Sequence, residues 1–460
     1  MLNDRVMMTD RSRCFHHILV NILPNHTLTF AIPKEYSPSL SYVGGGSYGN
    51  VVRTEVQCKG ANGSVCHSVA IKRFKNPFSD DRQARRLYRE IKLLQLIRHD
   101  NLIRAFDLYS PDPRAEDLKE IYVVSIYAGT CLAQVLKNER KAGKRLLDMR
   151  QINAIIYQLL IAVKYLHSVK IIHRDLKPEN LALRGDCTLT VLDFGLARSL
   201  DGHESQMTEC VTTKRYRSPE TIYWKVGNYS TPELLDAGTT LTAIIYSQQL
   251  EKVAVALRQE WPLKSKVILQ MDNARPHLTN FFASKPERFY ERGIRKLPVK
   301  WADVVQHNAD LWSIGCIAGE IMQLSPIFTG DNETLLYTSI IEIVGSPSEQ
   351  LLDKIEREND QELRKLLESF AHYHRRDFQK TYQQYGKEFA DFLDKMLVLD
   401  PDERLTVEGA LEHSYFEGWH VPEEEPLADW QFIEDKSLNE WKRIIWDEIL
   451  NFSVEPFEEM

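Results

Sequence analysis

The sequence predicts an α+β protein with a β-rich N-terminal part and a mainly helical remainder. β-prone runs surround a glycine cluster in residues 40–56, and a further β-prone run occupies residues 65–74. Apolar residues at helical spacing then recur along residues 81–96 and 152–166. The chain has 460 residues, which exceeds the roughly 250–300 residues at which a single hydrophobic core stops growing, so we expect more than one compact unit.

Composition and charge argue against several classes of protein. The 58 Lys and Arg residues against 65 Asp and Glu residues leave a formal charge of −7, which argues against generic nucleic-acid binding. The 7 cysteines are scattered and form no C-x-x-C pair, so we expect neither a disulfide framework nor a structural zinc site, and a reducing, intracellular setting fits. Apolar stretches fall far short of the ~20 residues of a membrane span, so no membrane partner is expected. Residues 1–26 form an N-terminal extension for which the sequence predicts no role.

A glycine-rich turn joins the first two predicted strands. Gly44, Gly46 and Gly49 form a G-x-G-x-x-G pattern, and glycine lets backbone N–H groups approach phosphates closely. An ordinary hairpin turn is the alternative, and the pattern alone does not decide between them. Because residues 51–56 read as another strand and not as a helix, the pattern does not predict a dinucleotide-binding fold.

A lysine and a glutamate follow on separate elements. Lys72 interrupts an apolar, β-prone run at residues 69–74, where a solvated surface lysine is the alternative. Glu90 lies well inside the predicted helix 81–96. A carboxylate held beside Lys72 would fix its ammonium group where it can bind phosphates, and the spacing permits this pairing.

The most specific signal follows the predicted helix 152–166. Residues 173–180 read HRDLKPEN, an alternating strand covers residues 188–192, and Asp193-Phe194-Gly195 begins thirteen residues after Asn180. A chance occurrence of both motifs at this spacing is negligible. With these motifs the chain resembles the eukaryotic protein kinases.

That resemblance implies a two-lobed kinase fold and phosphoryl transfer that depends on ATP and Mg²⁺. Residues 27–127 would form the β-rich small lobe, and residues 128–230 with 307–417 the mainly helical large lobe. Phosphoryl transfer asks the protein mainly to position the reactants and to neutralise charge on the phosphate oxygens. The implied ATP-binding residues are Val43, Gly44, Gly45, Gly46, Ser47, Tyr48, Gly49, Val51, Ala70, Lys72, Ser125 and Gly129.

The same resemblance implies catalytic roles, and all of the residues concerned are present. Lys72, paired with Glu90, would contact the α- and β-phosphates of ATP. Asp175 would orient the substrate hydroxyl and accept its proton, with Lys177 near the transferred phosphoryl group. The ligands of two Mg²⁺ ions would be Asn180 and Asp193.

The activation segment narrows the resemblance to the mitogen-activated protein kinases, closest to the stress-activated subgroup. The segment ends at Glu220, which would pair with Arg404. Residues 208–210 read TEC where that family has a T-x-Y activation lip. The match covers nearly all of residues 27–230 and 307–460. It implies a serine/threonine kinase (EC 2.7.11.24) that modifies proteins before proline in stress signalling, in the cytoplasm and the nucleus.

One departure from the family pattern affects activation. Cys210 stands where the family has the second phosphorylated residue, a tyrosine, so we expect an upstream dual-specificity kinase to activate this chain through Thr208 alone. By analogy, a phosphate on Thr208 would be held by four arginines, namely Arg86, Arg89, Arg174 and Arg198.

The resemblance also implies a docking surface for basic linear motifs of substrates, activators and phosphatases. Asp186, Glu423 and Glu424 would form it, although a solvated charged face is the alternative. The two glutamates belong to a C-terminal extension, residues 418–460, whose later aromatic residues would anchor it on the small lobe. Ser125 would control access to the pocket behind adenine and, because it is small, would admit bulky inhibitors.

A segment of 76 residues, 231–306, interrupts the kinase pattern. Residues 272–277 read DNARPH, and the segment resembles part of a mariner-type transposase. Such an enzyme needs three carboxylates, of which only Asp272 has a match in a suitable context, and no DNA-binding region is recognisable. We therefore interpret the segment as an exonised or wrongly joined transposon fragment, and expect no nucleic-acid partner. The segment and Cys210 together leave an alternative function open. The chain would then be a kinase-fold docking scaffold with impaired catalysis.

Overall fold

A computed structural model provides the fold. It describes residues 14–23, 26–46, 49–60, 63–199, 214–222, 299–357, 361–422, 425–428 and 438–452. The predicted features outside the described residues are Ser47, Tyr48, the lip with Thr208 and Cys210, most of the insert 231–306, Glu423 and Glu424.

The described elements form a β-rich N-terminal region and a mainly helical remainder, which confirms the predicted fold class. The strands are β1 Phe15–Leu23, β2 His26–Pro33, β3 Ser41–Gly45, β4 Gly49–Gly60, β5 Gly63–Phe74, β6 Asp107–Tyr109, β7 Tyr122–Ile126, β8 Thr130–Cys131, β9 Ile171–Ile172, β10 Leu181–Leu183, β11 Leu189–Val191 and β12 Arg198–Ser199. The helices are α1 Asp81–Leu96, α2 Leu132–Ala142, α3 Met149–Ser168, α4 Val299–Gln323, α5 Glu333–Val344, α6 Glu349–Arg357, α7 Gln361–Glu368, α8 Phe378–Thr381, α9 Lys387–Met396, α10 Val407–Leu411 and α11 Leu438–Asn451.

By its internal contacts the chain divides into two compact units. The first comprises Met1–Gly202, Ser313–Ser325 and Leu405–Met460, and the second comprises His203–Trp312 and Pro326–Arg404. The first unit thus combines the predicted small lobe with part of the predicted large lobe, and the lobe boundaries stay a prediction. Within the described part of the chain, no helix has both the length and the apolar character that crossing a membrane requires.

A five-stranded antiparallel sheet organises the N-terminal region, in the order β3-β4-β5-β7-β6. β4 and β5 pair along their whole length, so the glycine-rich segment and the strand of the predicted lysine share one hairpin. Strand alternation buries Val69 and Ile71 on one face of β5 and places Lys72 on the other. The sheet therefore holds the lysine beneath the predicted phosphate-binding turn.

Part of the N-terminal extension forms a strand that the sequence did not predict. β1 pairs antiparallel with β2 and lies against the sheet. The rings of Phe15 and Tyr109 are 5.7 Å apart between centroids, and the Tyr109 hydroxyl donates to the carbonyl oxygen of Ala31 at 3.1 Å. These partners lie far along the chain, so the local pattern of residues 15–23 did not reveal them.

Helix α1 presents one buried face to the sheet. It begins at a cap in which the Asp80 carboxylate accepts the backbone N–H of Gln83 at 2.9 Å. Glu90 shares the buried face and is 3% exposed, so its charge requires a partner inside the protein. The apolar members of that face are Ala84, Leu87, Ile91, Leu93 and Leu94.

Helix α3 confirms the strongest helix prediction. Asp148 and Gln151 form a capping box at its start. The chain then passes through β9 into the β10–β11 hairpin, whose pairing puts Asn180 and Leu192 side by side, with the Leu192 N–H donating to the Asn180 carbonyl oxygen at 2.8 Å. The two sequence motifs are therefore neighbours in space. The predicted buried positions, all of them buried, are Ile152, Ile155, Ile156, Leu159, Val163 and Leu166.

The second unit contains the predicted ion pair between Glu220 and Arg404. Arg404 Nη1 lies 3.0 Å from Glu220 Oε1, and Nη2 lies 3.1 Å from Oε2. The guanidinium also donates to the Asn308 carbonyl oxygen at 2.5 Å and lies 5.2 Å from the ring centroid of Trp312. Both charged side chains are almost fully buried, so this bidentate pair fixes the end of the activation segment.

Candidate active site

Lys72 and Glu90 form the predicted pair. On β5, Lys72 lies opposite Val51 of β4 and Val123 of β7. Its Nζ is 2.5 Å from Glu90 Oε1 and 3.5 Å from Asp193 Oδ1. The ammonium group is thus held between two carboxylates, and we call Lys72, Glu90 and Asp193 the ion triad.

The charges of Lys72 and Asp193 favour each other, whereas burial raises the pKa of Glu90 to about 7. Burial disfavours the ammonium, but the carboxylates of Asp193 and Glu90 outweigh it and raise the pKa of Lys72 above its usual value. For Asp193 the effect of burial is outweighed by Lys72 and by the N–H of Gly195, so the pKa of this carboxyl is lowered. At neutral pH, Lys72 is an ammonium and Asp193 a carboxylate, which are the forms that bind phosphate and metal ions.

Asp175, Lys177 and Asn180 form one hydrogen-bonded group between β9 and β10, which we call the catalytic turn. Lys177 Nζ donates to Asp175 Oδ2 at 2.7 Å. Asn180 Nδ2 donates to the same oxygen at 2.9 Å and to the Asp175 carbonyl oxygen at 2.8 Å. A 3₁₀ turn at Pro178–Asn180 brings the asparagine back to the aspartate. The structure therefore brings together three residues that the sequence predicted, with one carboxylate oxygen fixed by two donors.

His173 supports the catalytic turn, although the sequence analysis predicted no role for it. It is fully buried. Its Nε2 lies 3.1 Å from the Leu192 carbonyl oxygen, and the Asp175 N–H donates to its Nδ1 at 3.3 Å. Its ring contacts Phe194 at 5.5 Å between centroids. His173 thus joins the catalytic turn to the segment bearing the triad's aspartate, and its place beside Asp175 in the HRD motif was the available signal.

The backbone around the triad's aspartate is strained. Asp193 and Arg174 have φ values of 64° and 66°, in the left-handed region that costs a non-glycine residue about 1–2 kcal/mol. The Gly195 N–H donates to Asp193 Oδ1 at 3.2 Å. A Cβ atom at Gly195 would lie 3.2 Å from that oxygen and 3.4 Å from Glu90 Oε2, so glycine leaves room for both carboxylates to approach the backbone here.

The predicted phosphate-binding glycines lie in the β3–β4 hairpin. Gly44 and Gly45 end β3 and pair with β4. The Gly46 N–H donates to the Gly49 carbonyl oxygen at 2.9 Å, which closes the turn. A Cβ atom at Gly49 would lie 2.7 Å from the carbonyl oxygen of Arg73, so only glycine fits where the turn meets β5.

By the kinase resemblance, residues 126–129, which begin at the last residue of β7, would form the adenine-binding hinge. Ser125 pairs with Ala70 of β5, which precedes Lys72 of the ion triad by two residues. Gly129 has a φ of 104°, and a Cβ atom there would lie 2.1 Å from the carbonyl oxygen of Leu183, so this position requires glycine. The remaining described ATP-binding candidates belong to the same sheet and are Val43 on β3 and Val51 on β4.

Asn180 and Asp193 have the chemistry of Mg²⁺ ligands. The amide nitrogen of Asn180 is engaged by Asp175, so its amide oxygen is the atom it can offer to a cation. Asp193 offers an ionised carboxylate. Mg²⁺ prefers oxygen ligands and is commonly bound by one or two protein groups together with substrate phosphates and water, so these two residues fit it.

The four arginines predicted to bind a phosphate on Thr208 come from two parts of the first unit. Arg86 and Arg89 lie three residues apart on α1, and Arg89 is buried. Arg174 follows β9, and Arg198 lies on β12, which pairs with β9. Strand pairing therefore brings Arg174 and Arg198 into one neighbourhood, whereas Thr208 lies outside the described residues.

Of the predicted docking residues, the structure describes Asp186. It is exposed, and the backbone N–H of Thr188 donates to its carboxylate at 2.9 Å and lowers its pKa. The next glutamate after the predicted pair, Glu425, is buried and accepts hydrogen bonds from Lys164 at 2.6 Å and Tyr157 at 3.0 Å. Glu425 therefore fastens the C-terminal extension to α3.

The C-terminal helix α11 packs on α1, as the predicted anchoring requires. Trp441 is fully buried, and its ring centroid lies 5.0 Å from that of Tyr88. Lys92 Nζ and Glu448 Oε1 are 2.8 Å apart. This contact supports the helix that bears Glu90.

Comparison with known proteins identifies similar sequences along most of the chain. The protein kinase domain family matches residues 38–249 and 300–416. Mitogen-activated protein kinase pmk-3 of Caenorhabditis elegans is 38% identical over 434 residues, which cover 92% of this chain and 75% of that protein. Mitogen-activated protein kinase pmk-1 of the same organism is 31% identical over 427 residues, which cover 92% of this chain and 88% of that protein. Mitogen-activated protein kinase 14 of Xenopus laevis is 30% identical over 438 residues, which cover 94% of this chain and 94% of that protein.

The family match is interrupted between residues 249 and 300, inside the predicted insert 231–306. Helix α4 begins at Val299, so the last eight residues of that insert are continuous with a helix of the kinase pattern. The transposase resemblance of the insert stays a prediction.

Proposed function

The chain belongs to the mitogen-activated protein kinase family and is a serine/threonine protein kinase (EC 2.7.11.24), and we propose on that basis that it phosphorylates proteins before proline in stress signalling. The observation that carries the catalytic part is the joint presence of the ion triad and the catalytic turn. The proline preference and the stress role rest on the resemblance of the activation segment to the stress-activated subgroup.

The family uses ATP and Mg²⁺, and in this chain Asn180 and Asp193 would hold the metal. When bound, Mg²⁺ neutralises charge on the phosphate oxygens. Lys72 would bind the α- and β-phosphates, and its ion pair with Glu90 keeps the ammonium from swinging away. Backbone N–H groups of the β3–β4 turn would approach the phosphates closely because the glycines carry no side chains.

Asp175 would orient the substrate hydroxyl and accept its proton. Two donors fix its Oδ2, so the carboxylate has one set orientation, in which Oδ1 can bind the hydroxyl. Lys177 would place its positive charge near the transferred phosphoryl group. Because the donors, the base and the phosphate-binding lysine are in place before substrate binds, little reorganisation is needed at the moment of reaction.

The proposed activity is tested with the purified full-length chain after treatment with an upstream dual-specificity kinase. We expect transfer of radiolabelled phosphate from ATP to a peptide containing Ser-Pro at a rate about tenfold or more above the matching Ser-Ala peptide. The blank is Lys72→Met, which removes the phosphate-binding ammonium. Equal rates on the two peptides would contradict the proline preference.

A docking scaffold with impaired catalysis is the second candidate function. Two features favour it. Cys210 stands where the family has the second phosphorylated residue of the lip, and the family match is interrupted between residues 249 and 300, within the predicted insert. Exposed Asp186 suits binding of basic motifs. Binding of a basic docking peptide without phosphate transfer above the Lys72→Met blank would support the scaffold and contradict the kinase.

The family implies upstream kinases, protein substrates and phosphatases as partners. We propose that basic docking motifs of these partners bind Asp186, Glu423 and Glu424, and that the protein works in the cytoplasm and the nucleus. A basic docking peptide should bind the Asp186→Asn variant more weakly than the unchanged protein, and localisation is checked by imaging the tagged chain.

Thr208→Ala is expected to abolish the gain in activity that the upstream kinase produces, by about tenfold or more. A phosphate on Thr208 would form charge-assisted hydrogen bonds worth about 1.5–3 kcal/mol each, and alanine cannot carry it. The measurement is the kinase rate before and after treatment. Ser205→Ala, in the same segment, is the control and should keep the gain. An unchanged gain in Thr208→Ala would disprove activation through this residue.

Ser125→Met is expected to weaken the binding of inhibitors that extend behind adenine by about tenfold or more. The larger side chain would fill the space that serine leaves beside Ala70, and overfilling a packed site costs about 1–3 kcal/mol. The measurement is inhibitor affinity by competition with a fluorescent nucleotide. Exposed Ser39→Met is the control and should bind like the unchanged protein. Full inhibitor affinity in Ser125→Met would place the pocket elsewhere.

A further inference from the structure

A cavity of about 600 Å³ in the first unit plays no part in the catalysis described above. Its walls come from the loop at residues 98–104 after α1, from Ile126 and Ala128 of the hinge, from Ile161 of α3 and from Thr190 of β11. Among the described residues that line it, none belongs to the ion triad or the catalytic turn.

The cavity touches the face of the hinge that points away from the predicted nucleotide site. Side chains alternate along extended chain, so Ser125 and Tyr127 share one face of the hinge, and Ile126 and Ala128 share the other. The Tyr127 ring lies 4.5 Å from the guanidinium carbon of Arg53, whereas Ile126 and Ala128 line the cavity. A ligand in the cavity would therefore contact the face of the hinge opposite to that of Ser125.

Three arginines line the cavity. Among the described residues that line it are Arg98, Arg104 and Arg184, together with one carboxylate, that of Asp100. Arg98 and Arg184 are exposed, and Arg98 Nη1 donates to the carbonyl oxygens of Gln95 and Ile97. The rest of the wall is largely apolar, with Leu102, Ile103, Phe106, Ile126 and Ile161. A molecule with an apolar body and an anionic group matches this combination.

The wall also contains a buried hydrogen-bond donor. The Asn101 N–H donates to His99 Nδ1 at 3.0 Å, so the ring hydrogen of the neutral imidazole is on Nε2. Burial lowers the pKa of His99 to about 4, so the ring is neutral at pH 7. Among the described residues, neither this Nε2 nor Thr190 Oγ1 has a hydrogen-bond partner, and both are buried. Such atoms are rare in folded proteins, and both belong to residues that line the cavity.

The loop that forms one wall is held firmly in place. Asn101 Nδ2 donates to Gln158 Oε1 and to the Leu189 carbonyl oxygen, each at 2.8 Å. The Ile103 N–H donates to the Val191 carbonyl oxygen at 3.0 Å. Because these bonds tie the loop to α3 and β11, the cavity exists before any ligand binds, which lowers the cost of ordering on binding.

We propose that this cavity is a binding site for a small amphipathic anion, with its apolar body against Ile126 and Ile161 and its anionic group near Arg104 and Arg184. The proposal is separate from the kinase activity and holds whether or not the chain transfers phosphate.

The first test uses 8-anilinonaphthalene-1-sulfonate and its uncharged analogue N-phenyl-1-naphthylamine as fluorescent probes of the full-length chain, with ADP and Mg²⁺ saturating. We expect the sulfonate to bind about tenfold or more tightly than the analogue, because only the sulfonate pairs with the arginines. Competition with 1-naphthoate and 1-naphthyl phosphate then shows whether a carboxylate or a phosphate serves better. Equal affinity of the two probes, or no displacement by either competitor, would overturn the proposal.

The second test locates the probe. Arg104→Gln and Arg184→Gln should each weaken sulfonate binding by about twofold to fivefold and leave the uncharged analogue unaffected. Arg357→Gln, an exposed arginine of α6, is the matched control and should change neither. Ile161→Trp should weaken both probes because the indole occupies the apolar wall. Unchanged sulfonate binding in both arginine variants would overturn the proposal even if Ile161→Trp failed to fold.

Discussion

Replacing Asp175 by asparagine is expected to lower kcat by about 10²–10⁴, the usual contribution of a positioned general base. The amide has nearly the same shape as the carboxylate but cannot accept the hydroxyl proton. The hydrogen bonds from Lys177 and Asn180 would also change, because in the unchanged protein both side chains donate to the same carboxylate oxygen, Asp175 Oδ2. Steady-state kinetics at saturating ATP measure the effect.

Circular dichroism separates this loss from misfolding, because Asp175→Asn should keep the spectrum of the unchanged protein. Asp331→Asn, an exposed aspartate before α5, is the matched control and should retain full kcat. A loss of less than about tenfold in Asp175→Asn would mean that another group accepts the proton.

Replacing Arg404 by leucine is expected to lower the free energy of unfolding by about 3–5 kcal/mol, because Glu220 is left buried without its partner. The wild-type pair is bidentate and almost fully buried, and the guanidinium also serves the carbonyl oxygens of Asn308 and Val398. Urea-induced unfolding measures the change.

Two further variants define the origin of that loss. The double variant Arg404→Leu with Glu220→Leu removes both charges and should recover part of the stability. Lys395→Ala breaks the exposed pair with Asp391 on α9 and should cost about 0.5 kcal/mol or less. A loss below about 1 kcal/mol for Arg404→Leu would show that the buried pair does not stabilise the second unit.

Much of the site could be predicted because its chemistry is concentrated in short motifs. The HRDLKPEN segment holds all three residues of the catalytic turn within six positions, and a turn that tight leaves little choice of geometry. The β4–β5 hairpin and helices α1 and α3 also follow local patterns, with alternation on the strands and caps at Asp80 and Asp148.

The features that sequence reasoning missed depend on partners far along the chain. Strand β1 contains two histidines among its apolar residues, which weakens its apolar pattern. Its packing partners, such as Tyr109, lie far along the chain. In the sequence, only its place in the HRD motif distinguishes His173 from an ordinary buried histidine. Its contacts with the Leu192 carbonyl oxygen and the Asp175 N–H exist only in the folded chain. Glu425 reads as one of three acidic residues in a row, but Lys164 and Tyr157 make it an internal anchor.

The sequence by itself determined which chemical groups this kinase has and in what order they occur. The tertiary structure decided the distances between them, since Lys72, Glu90 and Asp193 lie on a strand, a helix and a loop whose separation no local pattern encodes. It also decided the charge states of Lys72 and Asp193, because burial and opposite charges act only once the chain is packed. Local interactions select strands and helices, whereas the positions of charged groups relative to one another follow from burying the faces of those elements together.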